Sequence, residues 1–271
     1  MSLQSFNINN LFGVQGKEEV LVFVIGRRLN IVEDSAKEIN IAAKESGLSG
    51  ECIALEGDVG TKQGVVNVYE KVSKLTDRLD YLVNNAGYSG GWRVSSNGNH
   101  DHEGLEKMLW SIEDLDFANM TAIHVAGPYL LAVKFIPLFK KSKDACVTNI
   151  TSLAAYFLNS VFPNSRFIFV AETHLTELMA AGLLPFNIRV NSIAPVGLFK
   201  SQLTTGTSDR DAPLVPLGQD QIKNIPKGRE GLWEEIAGTA LMLSSPAGSY
   251  INAATIIIDG GWRLLSSAKD I

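Results

Sequence analysis

The sequence predicts the α/β class: one parallel sheet with helices on both faces. Two observations lead there. Strand-length apolar runs alternate with amphipathic stretches through most of the 271 residues. Several of those runs are nearly continuous Val, Ile and Leu, the composition of strands covered on both sides. No internal repeat, linker or composition break divides the chain, so residues 1–271 read as a single domain.

The elements follow in order. Val20 to Ile25 is an apolar run of strand length. Ile31, Val32, Ala36, Ile39 and Ala43 then fall on one helical face, with Gly47 as the stop. Cys52 to Leu55 reads as a short strand, and Val65, Val68, Tyr69, Val72 and Leu75 as a second amphipathic helix. Tyr81 to Val83 is a strand that runs into Asn84-Asn85-Ala86-Gly87. A polar loop spans about residues 88–104. A long helical stretch runs from about Ile112 to Phe139, with an interruption near Gly127-Pro128. Cys146 to Thr151 is a strand ending at Ser152. Glu172 to Leu184 is helical, and Ile188 to Ile193 is a strand ending at Pro195. Residues 196–232 form a long segment of weak periodicity, the kind that serves as a lid or binding loop. Trp233 to Leu243 is helical, and Ala254 to Ile258 is a strand before Asp259-Gly260-Gly261.

Charge and composition exclude several functions. The net charge is −5, and no basic run exceeds the pairs Arg27-Arg28 and Lys140-Lys141. No electrostatic footprint for nucleic acid exists. Cys52 and Cys146 lie in apolar runs and read as buried thiols of a reducing compartment, so the expected location is the cytoplasm. The start, MSLQSFNINNLF, lacks the basic and long apolar regions of a secretory signal. No apolar run of about 18 residues is present, so no membrane span is expected. His100-Asp101-His102-Glu103 sits in a polar loop without a further Cys or His, which argues against a metal site.

In a parallel sheet, ligands bind at the carboxyl ends of the strands. The polar residues there are Asp58, Asn85, Ser152 and Pro195, each with a plain alternative. Asp58 caps the helix beginning near Thr61, the Asn pair makes a turn, and the Gly260-Gly261 turn lets backbone pack closely.

These strand ends resemble the short-chain dehydrogenase/reductase family over residues 14–262. Asn84-Asn85-Ala86-Gly87 matches its NNAG motif and Asp58-Val59 its adenine-contacting Asp. Ile150-Thr151-Ser152 matches the strand carrying the catalytic Ser. Arg189-Val190-Asn191-Ser192-Ile193-Ala194-Pro195 and Ile257-Ile258-Asp259-Gly260-Gly261 match two later segments. The resemblance implies a Rossmann-like doubly wound sheet, a nicotinamide cofactor and hydride transfer between a ketone and a secondary alcohol. It implies a catalytic role for Ser152. Cofactor contacts are implied for Asp58, Val59, Asn85, Ala86, Gly87, Pro195, Val196 and Gly197. Dimers or tetramers are common in the family, so a homo-oligomer is expected.

Arg27 and Arg28 follow the Val20–Ile25 strand, where an acidic residue would bond the ribose of NAD. A guanidinium pair there suits the 2′-phosphate, which selects NADP.

Two family motifs are not found. A strand, Gly-rich turn and helix should precede the strand ending at Arg27-Arg28, and a βαβ unit takes about 30 or more residues. Only residues 1–19 precede Val20, and their glycines are Gly13 and Gly16. The first strand–helix unit is therefore expected to be missing. The family also places a Tyr about a dozen residues after the Ser, and a Lys four beyond it, to lower the phenol pKa. None of Tyr69, Tyr81, Tyr88, Tyr129, Tyr156 and Tyr250 has a Lys four residues on. The stretch Arg166 to Leu175 runs straight into a helix instead. His124 stands where the family usually has an Asn, as a proton shuttle or a packed core residue. Val196 separates Pro195 from Gly197.

Two readings follow. One is an NADP(H)-dependent oxidoreductase acting on an unknown small molecule, with Trp92, Leu198, Phe199 and Leu203 pointing weakly to an apolar substrate. The other is a catalytically inactive relative, serving as a partner subunit or scaffold, or a truncated gene model.

Overall fold

The apolar runs fold as strands, each parallel to its neighbours. The computed structural model describes residues 20–88, 94, 101–156, 163–207, 209, 212–223 and 225–268. In chain order these are β1 (Val20–Gly26), α1 (Leu29–Glu45), β2 (Gly50–Glu56), α2 (Lys62–Val72), β3 (Tyr81–Asn84), α3 (His102–Trp110) and α4 (Asp114–Thr121). A π-helical turn (Ala122–Ala126), α5 (Gly127–Lys134), α6 (Ile136–Phe139) and β4 (Ala145–Ile150) follow. Next come a 3-10 turn (Leu153–Tyr156), α7 (Pro163–Leu183), β5 (Ile188–Pro195), and the short α8 (Gln202–Thr205) and α9 (Pro216–Ile222). The chain continues through α10 (Trp233–Leu243), β6 (Thr255–Ile258) and α11 (Trp262–Ala268).

Among the described residues the strands fall into two hydrogen-bonded groups. β1 pairs with β2, and β3 to β6 pair in sequence order. Parallel neighbours need crossover connections, and helices carry them here. Three physical facts explain the elements. First, Val65, Val68 and Val72 of α2 and Leu131 and Ala132 of α5 meet one face of the strands, with Met179, Ala180 and Leu183 of α7. Phe23, Ile25, Leu55 and Leu82 pack on the same cluster from their strands, at period 2. Second, the long central stretch is one helical run whose register shifts at the π-helical turn just before Gly127-Pro128. A Cβ on Gly127 would come within 2.7 Å of the Val59 carbonyl, so that helix approaches the loop after β2 closely. Third, the Asn40 amide of α1 bonds both the carbonyl and the N–H of Cys52, 2.9 and 2.7 Å. This caps part of the β2 edge that no strand pairs with among the described residues, and the Lys71 ammonium donates to the Glu56 carbonyl of the same strand at 2.6 Å.

α7 begins earlier than its periodicity suggests, at Pro163 rather than Glu172. Phe167–Phe186, which runs from within it through the following 3-10 turn, is long and apolar enough to cross a membrane by length and composition, which the apolar-run criterion did not register. In the fold this helix packs on β5 and the 3-10 turn and buries Glu172 and Thr176.

Arg189 ties the amino end of β5 to the far side of the sheet. It forks onto Asp144 at 2.9 and 3.3 Å and donates to the carbonyls of Gly248, Ile251 and Leu243. Arg189 is 8% exposed. Removing one member of such a network strands the rest without partners. Arg189→Leu is expected to lower stability by about 3 kcal/mol. Urea unfolding checks this as a shifted midpoint at unchanged slope.

Candidate functional site

All the polar strand ends lie at one carboxyl edge. The registers pair Gly26 with Glu56, Asn84 with Asn149, and Pro195 with Ile258. Arg27 and Arg28 leave the tip of β1 exposed, and Arg28 is the N-cap of α1. Asp58 follows β2 and is exposed, and its carboxylate accepts the Gly60 N–H at 2.9 Å. It does not cap α2. Thr61 does that, through its hydroxyl and the Gly64 N–H. Val59 packs on the core beneath.

The two asparagines after β3 separate in role. Asn84 is buried and donates to Asn149 Oδ1 at 2.8 Å. Asn149 donates in turn to Thr176 Oγ1 of α7 at 3.0 Å. Asn85, Ala86 and Gly87 are exposed and follow directly. The buried amides fix the strand end, so the next three residues present their backbone at the edge.

Ser152 is half-buried after β4. Its hydroxyl accepts the Ala154 N–H at 3.1 Å and so caps the 3-10 turn. Tyr156, four residues on, packs on a second apolar cluster with the Arg263 guanidinium 5.3 Å over its ring. Pro195 ends β5. Val196 extends the strand through its N–H to Ile258 and is 5% exposed in that second cluster, while Gly197 is exposed. The inserted Val196 is thus a packing residue that separates two positions open to a ligand.

Leu198 and Phe199 are buried in the same cluster with Leu214 and Ile225, so they support the 196–232 segment rather than line a substrate pocket. Trp92, the side chain of Leu203, and His100 lie outside the described residues. Asp101 caps α3, Glu103 pairs with Lys107, and no metal-binding group occurs among the described residues. Gly260 and Gly261 have φ of 61° and 90°, as the close turn requires.

The 196–232 segment is closed at its base. Phe199 bridges to Gly231, and the Trp233 indole donates to the Lys200 carbonyl at 2.8 Å. Arg229 forks onto Glu235, which also accepts the Leu232 N–H. The Arg229 guanidinium and this backbone bond hold Glu235 down to about 2.

Between β1 and β3 runs a cavity of about 1360 Å³. Val20–Ile25 line one side and Tyr81–Asn84 the other, with Asn85 and Ala86 at its carboxyl end. Val68, Val72, Leu131 and Phe135 also line it. Val22 and Val83 are 41% and 46% exposed on the strands that flank it. No strand lies between β1 and β3 among the described residues.

His124, in the π-helical turn, is buried at 4% exposure. Its Nε2 lies 3.0 Å from the Tyr88 N and 2.9 Å from the Tyr88 O. Its Nδ1 lies 3.3 Å from Glu172 Oε2. Phe169 stacks edge-on against the imidazole at 5.1 Å. The sequence reading missed Glu172. Its signal was a carboxylate on the helical row of Ile168, Thr176 and Met179, in an otherwise apolar stripe.

Residues 26–263 match the family described as enoyl-(acyl carrier protein) reductase. Short-chain dehydrogenase/reductase PhomF of Diaporthe leptostromiformis is 30% identical over 254 residues, 89% of this chain and 82% of its own. The chain belongs to the short-chain dehydrogenase/reductase family. A second relative, the rhamnolipids biosynthesis 3-oxoacyl-(acyl-carrier-protein) reductase of Pseudomonas aeruginosa, is 29% identical and covers 88% of each chain. The RhlG/NADP active-site complex of P. aeruginosa superposes with a TM-score of 0.72 at 27% identity, covering 89% of this chain and 86% of that one. The fold is therefore the Rossmann-like α/β fold of an oxidoreductase family that binds nicotinamide cofactors.

The Glu235 carboxylate contributes stability above its ordinary value of 4.5, lost as pH falls toward about 2. Glu235→Gln is expected to melt lower than wild type above pH 4.5, with the two curves converging in acid. Melting temperatures across pH 2 to 7 check this.

Proposed function

We propose that this chain is built for NADP(H)-dependent interconversion of a ketone and a secondary alcohol on a small molecule. The observation that carries the reading is the single carboxyl edge, with Arg27 and Arg28 at the tip of β1 and Ser152 after β4. The residues fit the cofactor at its two ends. The guanidinium pair suits a 2′-phosphate, Asp58 and Val59 the adenine side, and Asn85, Ala86 and Gly87 the adjoining backbone contacts. Pro195 and Gly197, with Val196 packed between them, suit the nicotinamide side. When bound, the cofactor supplies or accepts the hydride. The Ser152 hydroxyl accepts the Ala154 N–H and keeps its own proton to donate to a substrate oxygen.

The middle of the cofactor site fits less well. A pyrophosphate needs a glycine turn leading into a helix. Among the described residues, a cavity lies between β1 and β3 instead. This is where the family's first strand–turn–helix unit would stand, and no strand fills it among the described residues. The proton donor is the second deficit. Where the family places its Lys, α7 brings the Phe169 ring against His124.

These two deficits favour a second reading, a catalytically inactive family member acting as a partner subunit or scaffold. A homo-oligomer is supported by exposed Leu115, Phe117, Phe167, Val170 and Leu178 on α4 and α7. Buried free thiols at Cys52 and Cys146 support a cytoplasmic location. The acidic balance supports the absence of a nucleic-acid role. The buried carboxyl of Glu172 inside the apolar α7 supports a core helix rather than a membrane span.

Titration with NADPH, watched by nicotinamide fluorescence, tests the cofactor reading. Saturable binding is expected, weaker by about tenfold or more in Arg27→Ala/Arg28→Ala, with NADH affinity unchanged by that variant. A wild-type chain with no NADPH binding, or equal affinity for NADH, overturns it. Consumption of NADPH with a panel of ketones separates the active reading from the inactive one.

A further inference from the structure

His124 and Glu172 form a buried ionisable pair that the proposed chemistry leaves without a task. Both are almost sealed from solvent, at 4% and 2% exposure. The imidazole bridges two elements. One nitrogen faces the Glu172 carboxylate of α7, and the other faces the backbone of Tyr88, directly after Asn85-Ala86-Gly87. The ring also abuts Gly87, where a Cβ would lie 3.4 Å from His124 Cε1.

The geometry at Nε2 contains a choice. Tyr88 N and Tyr88 O are both within hydrogen-bond distance of that one nitrogen. Unprotonated, Nε2 accepts the Tyr88 N–H. Protonated, it donates to the Tyr88 carbonyl. It cannot do both at once. Nδ1–H faces Glu172 in either case when the carboxylate is charged.

We propose that His124 and Glu172 are positioning residues that latch the Asn85–Tyr88 segment after β3, and that the proton on His124 Nε2 selects which backbone group of Tyr88 the latch holds. Its consequence for nucleotide affinity rests on the cofactor reading above; the latch itself does not. Burial alone would push the imidazole down, but the Glu172 carboxylate outweighs it and holds His124 above its ordinary value. Burial pushes Glu172 up as well. The latch sits in a π-helical turn, a distortion that often marks functional positions.

Other titratable groups on the elements packed against the turn are engaged elsewhere or turned outward. The Asp58 carboxylate accepts the Gly60 amide, and Asp116 accepts the Glu113 amide. The Lys134 ammonium lies over the Tyr69 ring. Glu113 and Asp114 are exposed, and His174 pairs with Glu177 at the surface. The Tyr88 phenol belongs to the latched residue itself and is half-buried.

Amide hydrogen exchange at Tyr88 in the full chain tests the latch without a cofactor. In wild type the protection factor of this amide is expected to fall about tenfold or more as pH drops and Nε2 gains its proton. In His124→Leu/Glu172→Leu, which leaves no charge buried alone, protection is expected to be low and independent of pH. The wild-type pH course alone decides the matter if that variant does not fold. A protection factor that does not change with pH in wild type, or that is unchanged in the double variant, overturns the latch. NADPH affinity about tenfold weaker in the double variant extends it to the nucleotide. Wild type that binds no NADPH overturns the cofactor reading, while the exchange at Tyr88 still decides the latch.

Discussion

A parallel strand must bond on both edges and be covered on both faces, and this chain meets that demand unevenly. Its backbone polar groups have to be satisfied without water. β4 and β5 have a partner on each side and are the most buried strands. β2 has one partner and the Asn40 amide on its outer edge. β1 and β3 each turn one edge to the cavity between them. The position of every site residue follows from where its strand stands relative to that gap. Arg27, Arg28 and Asp58 lie on one bank, while Asn85, Ser152 and Pro195 lie on the other.

The larger bank is organised by polar groups buried within an apolar core. The chain of bonds from Asn84 through Asn149 to Thr176 ties β3, β4 and α7 in one register. Arg189 does the same at the opposite end of β5, where it joins three carbonyls and a carboxylate. Buried polar groups contribute little net stability when paired but cost much when stranded. They act less as adhesive than as a penalty on every alternative alignment. The exposed backbone at Asn85–Gly87 is accurate in place because the side chain before it is locked.

Most of the fold was legible because its signals are local. Val20–Ile25, Tyr81–Val83 and Ile188–Ile193 declare themselves by apolar runs, and α10 matches its periodic residues end to end. The early start of α7 was not legible, because Pro163-Asn164-Ser165-Arg166 reads as loop chemistry. The strand-end residues were found by order and spacing. What each contributes was harder to see. Val196, Leu198 and Phe199 proved to be core, and Asp58 proved not to be a cap, since both facts depend on contacts distant in sequence. Glu172 escaped notice for the same reason. A lone carboxylate gains meaning only from the imidazole that folding brings to it across 48 residues, from position 124 to position 172.

The divided sheet also bears on how the molecule holds together. β1, α1 and β2 are contiguous in the chain, and a two-stranded sheet has little stability of its own. They lean on the larger half through side chains such as Phe23, Ile25 and Leu55, with no continuous ladder of backbone bonds among the described residues. Segments joined mainly by side-chain packing are where local opening costs least. A molecule that touched both banks would favour the arrangement in which they stand together. By mass action its binding free energy adds to the stability of the weaker half. For this part of the chain, occupancy and folding are one equilibrium.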